Sequence, residues 1–203
     1  MKVRLLFGVG INDAGYVVRI TEDVGNEGGK RIRKKIWECP FYSRWRNMLL
    51  RCYSEKYQKI TPTYKECFVC DEWLRFSNFK SWMEKQDWQG KELDKDLLYK
   101  GNKIYSPKTC VFIDRILNSF VVERDASRGK YPIGVYWNEN HKKYIARCQN
   151  PFSKKYEYLG RFDNPQEAHH AWLNKKKELA ELLAEQQTDS RIALALRKRY
   201  DNY

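Results

Sequence analysis

From residue 131 onward the chain follows a pattern that leaves few folds open. Three short runs, residues 133–137, 144–149 and 156–162, are rich in Val, Ile, Tyr and Trp, and polar turns around Asn138-Glu139-Asn140 and Asn150-Pro151 separate them. A three-stranded antiparallel sheet is expected. Asn164-Pro165 then opens a helix: Asn caps the first turn, Pro suits the first helical position, and Glu167 complements the macrodipole. Ala168, Ala171, Trp172, Leu179, Leu182 and Leu183 give that helix an apolar face. A last helix, residues 190–199, is expected to pack back through Ile192, Leu194 and Leu196. Within the middle strand, alternation sets Tyr144, Ala146 and Cys148 on one face and Lys143, Ile145, Arg147 and Gln149 on the other.

The preceding 130 residues mix strand and helix signals, so the fold class is α+β. Residues 3–9 and 16–20 are β-prone and are broken by Asn12, Asp13 and Gly15. A Gly-rich turn at residues 25–29 leads into Lys30, Arg31, Arg33, Lys34 and Lys35, which read as a DNA-facing strand or arm, or else as a solvated loop. After Pro40, Phe41, Trp45, Met48, Leu49 and Cys52 recur as one buried helical face, and Arg44, Arg46 and Arg51 lie off it, where they can reach phosphates. A second helix is expected over residues 71–85, capped by Asp71 and burying Trp73, Phe76, Phe79 and either Trp82 or Met83. Residues 92–98 and 109–113 read as strands flanking turns at Gly101-Asn102 and Ser106-Pro107, and a short helix runs from Asp114 through Asn118. The expected organisation is a ββα finger region over residues 1–120, a linker at 121–130, and a sheet-plus-helix domain over 131–203.

Charge points to the partner. Of 203 residues, 39 are Lys or Arg and 26 are Asp or Glu, a net +13, with a pI near 9.4. Residues 31–60 hold nine basic and two acidic side chains, which concentrates the field on one segment and favours a polyanion, double-stranded DNA above all. With 42% hydrophobic residues the chain can bury a core, which excludes a disordered class. No uncharged apolar stretch approaches the roughly 18 residues of a membrane span, so no membrane partner and a cytoplasmic setting are expected. The six cysteines are expected to be reduced. Cys67 and Cys70 form one C-x-x-C pair that a structural Zn²⁺ could use only with single residues such as Cys39, Cys52 or Cys110, and buried free thiols are the favoured reading.

Asp94 and Asp96 stand two apart on an expected strand, which directs both carboxylates to one face and Lys95 to the other. Two carboxylates side by side repel unless a cation sits between them, and a hard divalent ion, Mg²⁺ or Mn²⁺, suits such oxygen donors. Asn118 is the best third ligand, and an exposed, charged strand face is the alternative.

The order Leu93-Asp94-Lys95-Asp96, Gly101-Asn102, residues 109–113 and Asn118 resembles the ββα metal finger of HNH nucleases. Residues 67–113, with Asp71-Glu72-Trp73 and Ser77-Asn78-Phe79-Lys80, look closer still to the HNH homing endonucleases of short-tailed coliphages. The resemblance implies a metal-dependent DNA endonuclease acting in a host cytoplasm, with Asp94, Lys95, Asp96, Asn102 and Asn118 as its catalytic set and Asp94, Asp96 and Asn118 on the metal. The chain departs from the family where it matters most: His141, His169 and His170 are its only histidines, and Lys95 aligns with the family's general base. A protonated lysine is a poor base, so Lys95 is expected to bind phosphate and Asp96 to orient or deprotonate water.

The later module resembles the plant ethylene-response-factor (APETALA-two) DNA-binding domain, on Gly134-Val135, Trp137, residues 143–146, Asn150-Pro151, residues 158–162 and residues 165–172. That likeness implies a sheet in the major groove, with Trp137, Lys142, Lys143, Arg147 and Arg161 as its contacts, although several of the family's arginine positions are here Ile133, Tyr136 and Asn138. Two functions follow: an endonuclease targeted by this domain, or a DNA-binding regulator or host-takeover factor that keeps the finger as scaffold. In the first, removing residues 131–203 is expected to harm site preference more than cutting.

Overall fold

The computed structural model describes residues 5–122 and 129–201, so most of the expected linker lies outside the described residues. The molecule is α+β, and the chain divides into two compact units, Met1–Asp96 with Lys100–Phe112, and Leu97–Tyr99 with Ile113–Tyr203.

The first unit opens on a ribbon instead of the short strands expected. Strands β1 (Arg19–Glu27) and β2 (Lys30–Glu38) pair antiparallel, and Gly28-Gly29 alone make the turn between them. Both central positions carry positive φ, 57° and 78°, which a two-residue hairpin turn requires and glycine supplies without strain. Of the run 3–9, expected to be β-prone, the residues from Leu6 on instead enter a tight turn closed by Leu6 and Gly10.

Helix α1 (Pro40–Tyr53) buries Trp45, Met48, Leu49 and Cys52, the stripe that the apolar spacing implies. A short helix α2 (Glu55–Ile60) follows, capped by the Ser54 hydroxyl. The single helix expected over residues 71–85 is broken. Asp71–Leu74 is a 3-10 turn, Arg75 is extended, and helix α3 covers Phe76–Met83. The break arises because residues 74–76 hydrogen-bond to Ile11: its N–H donates to the Leu74 carbonyl and its own carbonyl accepts from Phe76. Trp45, Trp73, Phe76 and Phe79 pack edge-to-face and tilted around these helices, and the Trp45 indole N–H donates to the Trp73 carbonyl at 2.7 Å.

In the finger the strands are shorter than expected. Strand β3 (Phe68–Val69) pairs parallel with β5 (Ile104–Tyr105), and β4 (Glu92–Asp94) pairs with β6 (Val111–Ile113). Helix α4 (Arg115–Val121) follows, with Asp114 as its cap, its side chain accepting from Leu117 N–H at 2.7 Å. Helix α4 belongs to the second unit, so the division falls ahead of it and not at residue 120.

That second unit is built on β7 (Val135–Asn138), β8 (Lys143–Gln149) and β9 (Tyr156–Phe162), hydrogen-bonded in that order and antiparallel. Helix α5 (Pro165–Glu185) is capped by Asn164, whose side chain accepts from Gln166 N–H at 2.7 Å. Helix α6 (Ser190–Lys198) closes the unit, capped by Asp189. Ile192, Ala193 and Leu196 of α6 are buried, but Leu194 and, on α5, Leu182 are exposed. Leu194 lies about 200° around the helix from Ile192, outside the buried arc. At Gly134, φ is +82° and an added Cβ would sit 2.1 Å from the Trp172 ring, so the backbone there must be glycine to reach α5.

Candidate functional site

The finger loop folds around Lys95. Strand β4 stops at Asp94 because the Asp96 N–H turns back to Asp94 Oδ1 at 2.8 Å, an Asx turn that competes with the ladder. The expected arrangement, two carboxylates on one face with Lys95 opposite, is thereby replaced. Lys95 turns inward, 6% exposed, and its Nζ donates to both Asp96 oxygens at 2.7 and 2.8 Å and to the Asn102 carbonyl at 2.6 Å. Asn102 fixes the other side: its Nδ2 donates to the carbonyls of Lys95 and Ile104 at 2.8 and 2.7 Å, and its Oδ1 accepts from Ile104 N–H. Gly101, at φ +77°, lets the chain turn into that clamp.

Burial alone would lower the Lys95 pKa, but the hydrogen bond and charge of Asp96 outweigh it and hold the ammonium above its ordinary value. An enclosed amine that is charged at neutral pH is a poor base and is turned away from any phosphate while it is bonded to Asp96 and Asn102, which corrects the expectation of Lys95 as a phosphate contact. As donors, Asp94, Asp96 and Asn118 are the hard oxygens a divalent ion prefers. Asp96 shares both of its oxygens with the Lys95 ammonium, so a cation bound there would have to share or displace that ion pair. Asn118 lies on α4, in the other unit. Among the described residues no group of three or more His, Cys, Asp or Glu gathers as a metal cluster. Burial pushes both the Cys67 and Cys70 thiols up, so the neutral SH is their form in the metal-free fold.

The arginines of α1 have local roles. Arg44 Nη2 donates to the Lys91 carbonyl at 3.3 Å, and the Arg46 guanidinium stands 6.0 Å from the Phe7 ring. Arg51 lies over the Tyr64 ring at 5.6 Å; burial would lower its pKa, but Tyr64 and Tyr105 more than compensate and keep it charged. Arg51 thus sits half-buried among neutral tyrosines, where the apolar spacing had suggested a surface cation. Arg31, Arg33, Lys34 and Lys35 are all exposed on β2.

The sheet of the second unit has two unlike faces. Ala146 and Cys148 are buried on the α5 side, with Tyr144 stacked T-shaped on Trp137 at 4.8 Å. Trp137, implied as a DNA contact, is therefore half-buried on the inner face. Arg147 lies on the opposite face between two exposed tyrosines, its guanidinium 4.8 Å from the Tyr136 ring centre and 4.7 Å from that of Tyr156. Tyr158, directly across from Arg147, is 60% exposed, and Arg161 is exposed nearby. Lys142 pairs with Glu139 at 2.8 Å and Lys143 with Asp163, so both are tethered surface cations. All three tyrosines are exposed on this face. They were missed because β-prone tyrosines read equally well as core; strand alternation with Arg147 was the available signal.

Two further residues escaped sequence reasoning. Lys176, inside the run Lys175-Lys176-Lys177, is buried and donates to the Phe120 carbonyl at 2.9 Å, with its Nζ 3.4 Å from the Phe120 ring centre. Asp13, read as a turn residue, caps α3 from a distance: Oδ1 accepts from Ser77 N–H at 2.9 Å and Oδ2 from the Ser77 hydroxyl at 2.7 Å. None of the three histidines lies in the finger; His169 Nδ1 contacts the Ile133 carbonyl at 2.9 Å and its ring stacks on Trp172. No helix among the described residues is long and apolar enough to cross a membrane.

No protein-family model matches the chain, and neither a curated protein nor a solved structure matches it.

Proposed function

We propose that the protein is a double-stranded-DNA-binding protein of the HNH-endonuclease type, in which the outer face of the β7–β9 sheet holds the duplex and the finger around Asp94–Asn102 hydrolyses a phosphodiester with Mg²⁺ or Mn²⁺. The observation that carries it is Arg147, a guanidinium oriented between Tyr136 and Tyr156 on an open face of a chain of charge +13. Stacking fixes the direction of its donors, and a planar, pre-oriented fork suits phosphate oxygens or a guanine edge. The ion would stabilise charge on the phosphate. In this reading Lys95 and Asn102 are positioning residues that fix the loop bearing Asp94.

A second reading, DNA binding without cleavage, is favoured by one specific observation: the Lys95 ammonium lies where its charge offsets Asp96, part of what a divalent ion would do there. Purified full-length protein separates the two. Binding to duplex that weakens with salt, and about tenfold with Arg147→Ala, supports the shared part. Nicking of supercoiled plasmid that needs Mg²⁺ or Mn²⁺ and is lost with Asp94→Ala supports the endonuclease. Binding without nicking selects the second reading, and salt-independent or absent binding overturns both.

A further inference from the structure

Among the described residues, the ribbon of β1 and β2 is left open to solvent along almost its whole length. Each of its nine-residue strands is exposed at every position except Glu38, so neither face serves a core. The two faces differ in charge. Register and alternation put Arg31, Arg33 and Lys35 on one face, across from Asn26, Asp23 and Thr21. Asp23 takes both arginines, Arg33 Nε at 3.0 Å and Arg31 Nη1 at 3.9 Å, and Lys35 reaches Glu38 at the strand end at 3.2 Å, so three cations on this face meet two carboxylates. Lys30 and Lys34 lie on the other face, each directly opposite a carboxylate, Glu27 and Glu22, with Ile32 between them. One face is thus electropositive and lined with hydrogen-bonding groups, and the other is balanced.

We propose that this ribbon is a second DNA-contacting element, which lays its Arg31, Arg33 and Lys35 face into the major groove of a duplex; the proposal rests on reading the chain as a DNA-binding protein. A nine-residue strand reaches about 30 Å, and two strands about 5 Å apart with their side chains fit a groove about 12 Å wide. Register shifts between Ile20 and Thr21 and between Asp23 and Gly25 are bulges, and bulges add right-handed twist, the hand a ribbon needs to follow a right-handed groove. Asp23 accepts a hydrogen bond from Arg33 at 3.0 Å and lies 3.9 Å from Arg31, which biases both guanidiniums toward the same face. Thr21 and Asn26 add neutral groups able to meet base edges.

The test uses full-length protein and a mixed-sequence duplex. The triple variant Arg31→Ala, Arg33→Ala, Lys35→Ala is compared with Lys30→Ala, Lys34→Ala on the other face; both leave the core untouched, which an unchanged circular dichroism spectrum verifies. The triple variant is expected to bind about a hundredfold more weakly, with the slope of log affinity against log salt shallower by about two to three, and to lose protection of guanine N7 from methylation. The double variant is expected to keep that N7 protection. Wild-type affinity, slope and protection in the triple variant would overturn the ribbon proposal and leave the sheet reading standing. Absence of duplex binding by the wild type would overturn both. Loss of a protein partner or of self-association in the triple variant, with DNA binding intact, would also overturn it.

Discussion

Lys95 shows how one side chain can decide the chemistry open to a loop. The ammonium is enclosed and receives its compensation from Asp96 and the Asn102 carbonyl, and a buried charge is tolerable only while those partners remain. Asp96→Ala is therefore expected to destabilise the first unit by about 1–3 kcal/mol in urea unfolding, because it strands the ammonium, whereas Lys95→Met, which removes the charge, should cost less. The pH dependence has a definite sign. A lysine whose pKa is raised in the folded state contributes stability in full below its ordinary value of 10.5, and that contribution is lost as pH rises through the raised value. The wild type should lose stability on that alkaline limb more steeply than Lys95→Met, by denaturant midpoints at successive pH values. Asp13 behaves oppositely. Partial burial would raise its pKa, yet hydrogen bonds from Ser77 and Arg75 hold it below the ordinary 3.8. The cap is at full strength above that value and fades as pH falls through the depressed one, so Asp13→Asn should cost about 0.5–2 kcal/mol at neutral pH and progressively less in acid. Sequence alone identified Asp94, Lys95, Asp96 and Asn102 as one constellation but misplaced their side chains. Strand alternation presumes a strand, and the Asx turn at Asp94 ends it one residue before the alternation would matter.

Elements were legible in proportion to how locally they are determined. Strands β8 and β9, the Asn164 cap and the start of α5 were all readable, because two-residue periodicity, Asn-Pro and a first-turn Glu act within a few residues of themselves. The α3 region was not, since its start is set by Ile11 and Asp13, more than 60 residues away, through hydrogen bonds that no local pattern encodes. The ribbon was half legible: its basic strand was noticed, but β1, with acidic residues and glycine, lacks strand propensity and forms by pairing with β2. Gly134 is the element-scale counterpart of a core side chain, since it admits the Trp172 ring against the strand. Gly134→Ala would combine a positive φ with a Cβ 2.1 Å from that ring, so a loss of about 3 kcal/mol or more is expected for the second unit. The near-ultraviolet signal of Trp172 should change together with the denaturant midpoint. A normal midpoint would mean that α5 has room to move away.

At the scale of the molecule, the chain crosses between its two units three times, after residues 96, 99 and 112. The finger sequence is thus divided. The loop bearing Asp94 to Asp96 and Asn102 belongs to the first unit, while α4, which carries Asn118, is anchored in the second. That anchoring is specific: Lys176 donates to the Phe120 carbonyl at 2.9 Å, Arg199 Nη2 to the Val121 carbonyl at 2.9 Å, and Phe120 meets the Tyr200 ring at a near-perpendicular angle. Reading the sequence as successive modules could not anticipate this, because the ββα pattern is contiguous in the chain and nothing in residues 114–118 signals partners at 176, 199 and 200. The consequence reverses the earlier expectation for truncation. Removing residues 131–203 takes away the buried cation and the aromatic wall on which α4 rests, leaving Leu117, Phe120 and Val121 uncovered. The truncated chain should therefore lose any nicking activity along with its site preference, and its α4 amides should exchange with solvent as rapidly as those of an unfolded segment. Hydrogen exchange read by mass spectrometry on residues 114–121, in the full chain and in the 1–130 piece, measures this directly. Equal protection in the two would show that α4 holds its place without the second unit, and would restore residue 120 as the functional boundary.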